Sequence, residues 1–425
     1  MNERFLHYLW QHKYFYGGNL HTTGREPIQI ASQGTYNTDG GPDFLNAKVK
    51  IGEIEWAGNV EIHLKASDWF KHNHQENGAY NNIILHVVYD ADTEIKRSSG
   101  EIIPTFEMKG HFDESLYHRF YQMMESDSWI ACENQITDIP RITFELWLER
   151  LLIERIEERT EQINRRLEQN NFNWEQSFYE SVASSFGLKV NALAFELLAK
   201  ALPLSILQKH TNNLFQLEAL LFGQAGMLEE SFCDEYPQKL KLEYQFLKSK
   251  YGLSPIDKTV WNFLRLRPSS FPTLRIAQLA MLISKRNSFF SSAVTTLESE
   301  DLFSVFQVGV SNYWHTHYVF DKEAKVNGQK LGTTMVQLII INSVIPFMFM
   351  YGKYYSKESL MRKALDFHDL LPAEDNAIIR EYKQLNINTA TAFRTQALLQ
   401  LKKRYCDNKK CLDCAIGNYL IKPMQ

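Results

Sequence analysis

Gly41-Pro42-Asp43-Phe44, followed further on by Glu61-Ile62-His63-Leu64-Lys65, decides how the first part of this chain is read. Pro42 restricts the backbone entering an apolar strand, Gly40-Gly41 permits a tight approach, and Asp43 stands where that strand begins. In the second stretch Val60, Ile62 and Leu64 alternate with Glu61, His63 and Lys65, which is the period of a strand with one apolar and one polar face. The parity of Asp43 matches Leu45, Ala47, Val49 and Ile51, which aims its carboxylate at the apolar side of the strand end. A carboxylate there needs a partner, and a cation or a turn closed on backbone amides would supply one. Two carboxylates on adjacent strands suit a divalent cation, so Asp43 and Glu61 are candidate ligands.

Working outward, residues 3–13 read as an amphipathic helix with Phe5, Leu6, Leu9 and Trp10 on its apolar side. Strand patterns follow at 27–31, 43–51, 53–56 continuing through 59–65, 83–89 and 101–108, separated by Gly, Asn and Asp clusters. Asp68-Trp69 opens a helix after the strand, with Asp68 as its expected cap. Ile83-Ile84-Leu85-His86-Val87-Val88-Tyr89 is apolar on both faces, as a central strand covered on two sides should be. From about Thr143 the period becomes helical, with Phe144, Leu148, Leu152, Ile156, Ile163 and Leu167 on one stripe. Further helices are expected near 191–201, 213–222, 239–250, 274–284, 335–350, 357–366 and 388–404. The expected fold is α+β and multidomain: a mixed-sheet α/β domain over 1–115, a connector over 116–142, and a larger all-α domain over 143–425.

The chain has 425 residues, enough for two or three cores, and 13% of them are aromatic, which suits packed helices rather than disorder. A net charge of −4 confines any nucleic-acid surface to a local patch. The N-terminus lacks the apolar core of a signal peptide, and five cysteines do not form a secreted disulfide framework, so the compartment reads as cytoplasmic. The apolar run Met335–Tyr351 is interrupted by Gln337, Asn342, Ser343 and Pro346. It reads as a buried helix bent near Pro346 rather than a membrane span.

Other residue groups bear on chemistry. His63, His72, His74 and His86 lie close together in sequence, and His63, His72 and His74 are candidate zinc ligands. His86, within an apolar strand, reads as a core histidine unless it faces Asp43 and Glu61. Cys406-x4-Cys411-x2-Cys414 suits zinc or an iron–sulfur cluster, with Cys132, Cys233, a histidine or water completing the set. Arg265, Arg267 and Arg275 flank a proline-bounded turn and are candidate phosphate contacts. Tyr313-Trp314-His315-Thr316-His317-Tyr318 offers rings on which bases would stack.

Pro-Asp at the start of one strand and Glu-x-basic within the next resemble the PD-(D/E)xK nuclease superfamily over about residues 1–110. The resemblance implies a nuclease-like α/β domain cleaving DNA or RNA phosphodiesters with Mg²⁺ or Mn²⁺. Asp43, Glu61 and the main-chain carbonyl of Ile62 would be the ligands, and His63 or Lys65 would take the place of the lysine. His63 is a departure from that pattern, which leaves a non-catalytic nuclease-fold binding module, for nucleic acid or a partner protein, as an alternative. A zinc hydrolase built on the histidines is a further one. Over nearly the full length, the phrases Gly-Pro-Asp-Phe, Trp56-Ala-Gly-Asn-Val-Glu-Ile-His63, Ser67-Asp-Trp69, Arg267-Pro-x-x-Phe-Pro-x-x-Arg275 and Cys-x4-Cys-x2-Cys-x-Ile-Gly resemble a bacterial domain-of-unknown-function family.

Overall fold

The computed structural model describes residues 1–97, 99–285, 290–291, 294, 299–325 and 330–423. They fall into two compact units, one of Met1–Trp147 with Leu401–Gln425 and one of Leu148–Gln400. The C-terminal cysteine segment, grouped with the helical region by sequence, is therefore part of the first unit. Its attachment there is specific: Arg4 pairs with Asp413 at 2.6 Å, Arg119 donates to the Ile421 carbonyl at 3.0 Å, and Lys409 Nζ donates to the Met124 carbonyl.

The first unit opens with α1 (Glu3–His12), started by the Asn2 side chain accepting from the Phe5 amide at 2.9 Å and closed by Lys13 in the left-handed region. Phe5, Leu6, Leu9 and Trp10 are fully buried, as their spacing predicts. The sheet comprises β1 (Ile28–Ser32), β2 (Thr35–Tyr36), β3 (Phe44–Ile51), β4 (Ile54–Lys65), β5 (Ile83–Asp90) and β6 (Thr105–Glu107). Its order is β1-β3-β4-β5-β6, with β2 also on β3. The pairs on either side of β3 are antiparallel, whereas β4-β5 and β5-β6 are parallel. Between β4 and β5 the chain makes α2 (Asp68–Lys71) and two short 3-10 turns, a compact crossover that places Trp69 in a cluster with Tyr80, Ile83, Ile95 and Ile103. The span expected to connect domains contains an ordered helix, α3 (Glu114–Glu125), capped by Asp113.

The second unit is mostly helical: α4 (Arg141–Gln169, which begins in the first unit), α5 (Trp174–Phe186), α6 (Leu188–Ala201), α7 (Leu214–Gln224), α8 (Glu235–Tyr251), α9 (Pro272–Ser284), a long α10 over Thr333–Tyr354, α11 (Glu358–Leu370), α12 (Ala377–Gln384) and α13 (Ala392–Gln400). Within α10, Ile340–Val344 forms a π turn just before Pro346. The break in the helical ladder has a direct cause. Pro346 has no N–H to give the Asn342 carbonyl, and the Arg159 guanidinium reaches that oxygen at 3.5 Å instead. This helix is long and apolar enough to cross a membrane, but 78% of its apolar window is buried inside the protein.

Candidate functional site

β3 and β4 meet at a bulge that the sequence pattern does not announce. Phe44 pairs with Val60 and Ala47 with Gly58, so an extra β3 residue is accommodated between those two pairs. Asn46 takes it up in the left-handed region, φ 59°, with its amide on the Asn59 side chain at 3.2 Å. Val60 and Gly58 share one face of β4, so Phe44 and Ala47 share the matching face of β3. Asp43 therefore lies on the opposite face, alongside Glu61. The expected parity of Asp43 with Ala47, Val49 and Ile51 is thus corrected: the bulge turns the strand end over.

The two acids are bound to each other's backbone. The Asp43 amide donates to Glu61 Oε2 at 3.2 Å, and the Ile62 amide donates to Asp43 Oδ2 at 2.9 Å. His7 of α1 places Nε2 3.3 Å from the same Asp43 oxygen. Ile62, whose carbonyl the nuclease resemblance makes a third ligand, is buried in the β4-β5 ladder opposite Val87.

Beside Glu61 stand four imidazoles. His86 of β5 is the register partner of Glu61, and its Nε2 is 2.8 Å from His63 Nδ1. The other nitrogen of His63, Nε2, lies 3.1 Å from His72 Nδ1 and 3.6 Å from Glu61 Oε1. His74 Nε2 is 3.2 Å from Glu61 Oε1. Two local features bring His72 and His74 to this point. Asp68 Oδ2 accepts the Lys65 amide at 3.0 Å, which folds α2 back against the end of β4, and Asn73 at φ 57° reverses the chain between the two histidines. Asp68 is the first residue of that helix rather than its expected cap, a position held by Ser67. Tyr80 stacks on His74 with centroids 3.8 Å apart, and Trp69 lies edge-on to both His74 and His86.

Ligand atoms of His63, His72 and His74 all lie within 4.8 Å of one another. His63, His74 and Glu61 are buried while His72 is exposed, so the group is open to solvent on the His72 side. Burial, with Asp43 next in effect, pushes the Glu61 carboxyl up to about 9. Burial and then His86 drive His63 down to about 3; burial and then His72 hold His74 near 4, and burial and then His74 hold His86 near 3. Three neutral rings with available lone pairs beside a buried acid form a site short of positive charge.

The remaining expected residues are dispersed. Lys65 is exposed at the end of β4, and Arg265 and Arg267 are exposed in the second unit. Arg275 is not a surface residue: it is 8% exposed and donates to Gln278 Oε1 at 2.9 Å, so it corrects the expected phosphate contact. Trp314 is fully buried, and Tyr313 stacks on His317 at 4.0 Å, so these rings are spent on packing. His7 is the member not assigned from sequence, while His86 takes the place facing Glu61 that its sequence position allows. The two histidines among the apolar positions of α1 are the available signal for His7.

The cysteine motif gathers with a distant residue. Cys406, Cys411 and Cys414 line one cavity together with Cys132, next to Met123, Tyr405 and Lys410. None is in a disulfide, and Cys233 is exposed in the second unit. Burial, and then Cys414 and Cys411, raise the Cys132 thiol to about 12.

No curated protein and no solved structure matches the chain. A family model does, over residues 3–377, and the chain belongs to that family, described as Protein of unknown function (DUF2851).

Proposed function

We propose that this protein is a metal-dependent hydrolase whose ion is held by His63, His72 and His74 at the edge of the mixed sheet, with phosphodiesters of DNA or RNA as its substrates. The observation that carries the reading is spacing. Metal–ligand bonds of about 2.0–2.1 Å in a tetrahedral zinc site put neighbouring ligand atoms about 3.3 Å apart. His63 Nε2 stands 3.1 Å from His72 Nδ1, and the ligand atoms of His63, His72 and His74 all lie within 4.8 Å of one another.

An imidazole-rich set favours zinc or a related transition ion over Mg²⁺, which prefers oxygen and keeps much of its water. This reading moves the ion from an Asp43–Glu61–Ile62 site to the histidines. When bound, such an ion would lower the pKa of a coordinated water and polarise a phosphoryl oxygen. The charge of a bound ion would return the buried Glu61 to its carboxylate form, which stands where it would take the proton from that water; Asp43 fixes the β4 backbone beneath it, and His86 fixes the ring of His63. Solvent exposure of His72 leaves an approach for substrate.

The test is hydrolysis of bis(p-nitrophenyl) phosphate, single-stranded DNA and RNA by the full chain supplied with Zn²⁺, Mn²⁺ or Mg²⁺. Cleavage that needs a transition ion and is lost in Glu61→Gln supports the reading. Salt-dependent nucleic-acid binding without cleavage under any ion would favour the binding-module alternative.

A further inference from the structure

A second site lies in the same unit, away from the histidines in sequence and built on sulfur. We infer that Cys132, Cys406, Cys411 and Cys414 together ligate an iron–sulfur cluster. Four of the chain's five cysteines converge here, and in sequence the whole second unit separates Cys132 from the other three. Cys132 is 9% exposed, Cys411 8% and Cys414 7%, so three thiols are withdrawn from water around one shared space.

Apolar side chains, Met123, Leu401 and Ile416 among them, surround the sulfurs, and N–H groups and positive charge approach them. The backbone amides of Ile416 and Gly417 are directed at the Cys414 sulfur. N–H groups aimed at sulfur stabilise thiolate and tune bound clusters. Gly417 is required by the approach: a Cβ there would stand 2.1 Å from the Cys411 carbonyl oxygen. Lys410 lines the cavity, and Arg4 and Lys409 bring positive charge toward Cys411, which offsets thiolate charge. Lys409 is also tied to the Ser126 carbonyl at 3.3 Å, and Arg4 to Asp413, so the shell is fastened to α1 and to the loop bearing Cys132.

Geometry distinguishes the occupant. One zinc ion draws four sulfurs to about 3.8 Å from each other. Among the described residues the ligand set with all atoms within 4.8 Å of one another is that of the histidines, so no three of these sulfurs are drawn together as one zinc ion would draw them. A cubane cluster occupies the space between four sulfurs and takes four cysteine ligands.

The experiment is iron, acid-labile sulfide and zinc analysis of the full chain purified without oxygen, with visible absorption and electron paramagnetic resonance after dithionite reduction. Wild type should carry about four iron and about four sulfide per chain. Cys132→Ser should lose most of the iron, sulfide and visible absorption, and Cys233→Ser should keep them. Circular dichroism of each variant separates cluster loss from unfolding, and the wild-type composition stands independently of any variant. Zinc in place of iron at the cysteines would overturn the inference. So would a folded Cys132→Ser chain with its full cluster, or a wild-type chain that takes up no cluster on anaerobic reconstitution with ferrous iron and sulfide.

Discussion

Asp43 and Glu61 exchange hydrogen bonds with each other's strands: the Asp43 amide donates to the Glu61 carboxylate at 3.2 Å, and the amide following Glu61 donates to the Asp43 carboxylate at 2.9 Å. Side chains thereby continue a ladder that the β3 backbone has ended. The same arrangement confines two acids to one small volume, and burial, with Asp43 next in effect, drives Glu61 toward its neutral form.

Replacing the two acids should have different consequences. In Asp43→Ala the Ile62 amide loses its acceptor, and unfolding in urea should show a loss of about 1–2 kcal/mol. Glu61→Gln keeps an oxygen to accept the Asp43 amide and removes a buried ionisable group, so its stability should stay within about 1 kcal/mol of wild type while hydrolysis is lost. Equal destabilisation by both would contradict this division of roles.

His86 should act through His63. Its Nε2 stands 2.8 Å from His63 Nδ1 and its ring is fully buried, so His86→Leu would leave His63 without its orienting partner. The expected result is transition-ion affinity weakened by about 10–100-fold, with the fold retained by circular dichroism. Unchanged affinity would mean that His63 is oriented by packing alone.

Elsewhere, Gly223 of α7 is a packing position. A Cβ there would lie 2.0 Å from the Tyr244 ring of α8, so Gly223→Ala must push the two helices apart. Urea denaturation should show a loss of about 1–3 kcal/mol, and Tyr244→Phe, which keeps the ring, should not relieve it.

Glu218 makes stability depend on pH. Burial raises its carboxyl to about 7 against an ordinary value of 4.5, although Tyr236 and Ser311 donate to it. Below an ordinary carboxyl pKa of 4.5 the group is protonated in both states and contributes nothing. As pH rises from there, the unfolded chain releases its proton first, so stability falls until about pH 7 and the loss is complete above it. That loss is on the order of 3 kcal/mol. Glu218→Gln should therefore gain on wild type in urea midpoint between about pH 5 and pH 8; parallel profiles would refute the assignment.

Much of this is legible in the chain before folding is considered. The alternation of Glu61, His63 and Lys65 with Val60, Ile62 and Leu64 identifies β4, and the apolar run from Ile83 identifies the central strand. The position of Asp43 is not legible, because parity counting assumes an unbroken strand and the bulge at Asn46 breaks it. The burial of His74 is not legible from its loop, which is rich in Asn and Gln; Tyr80 and Trp69 pack against its ring and withdraw it from solvent. Helix α5 is obscured for a related reason, since its buried face includes Ser177, Glu180 and Ser181, which blur the apolar stripe. Arg275 reads as surface by residue type and is carried into the core by α9, whose residues are buried almost throughout.

Zinc content per chain, measured by mass spectrometry, decides whether an ion resides on the imidazoles. After dialysis against a weak chelator, the full chain should retain about one zinc on reloading, a Cys414→Ser chain should bind the same, and His72→Ala should bind far less. His72 is exposed, so its removal leaves the core intact. Zinc retained in His72→Ala and His74→Ala but lost in Cys414→Ser would rule out an ion on the imidazoles.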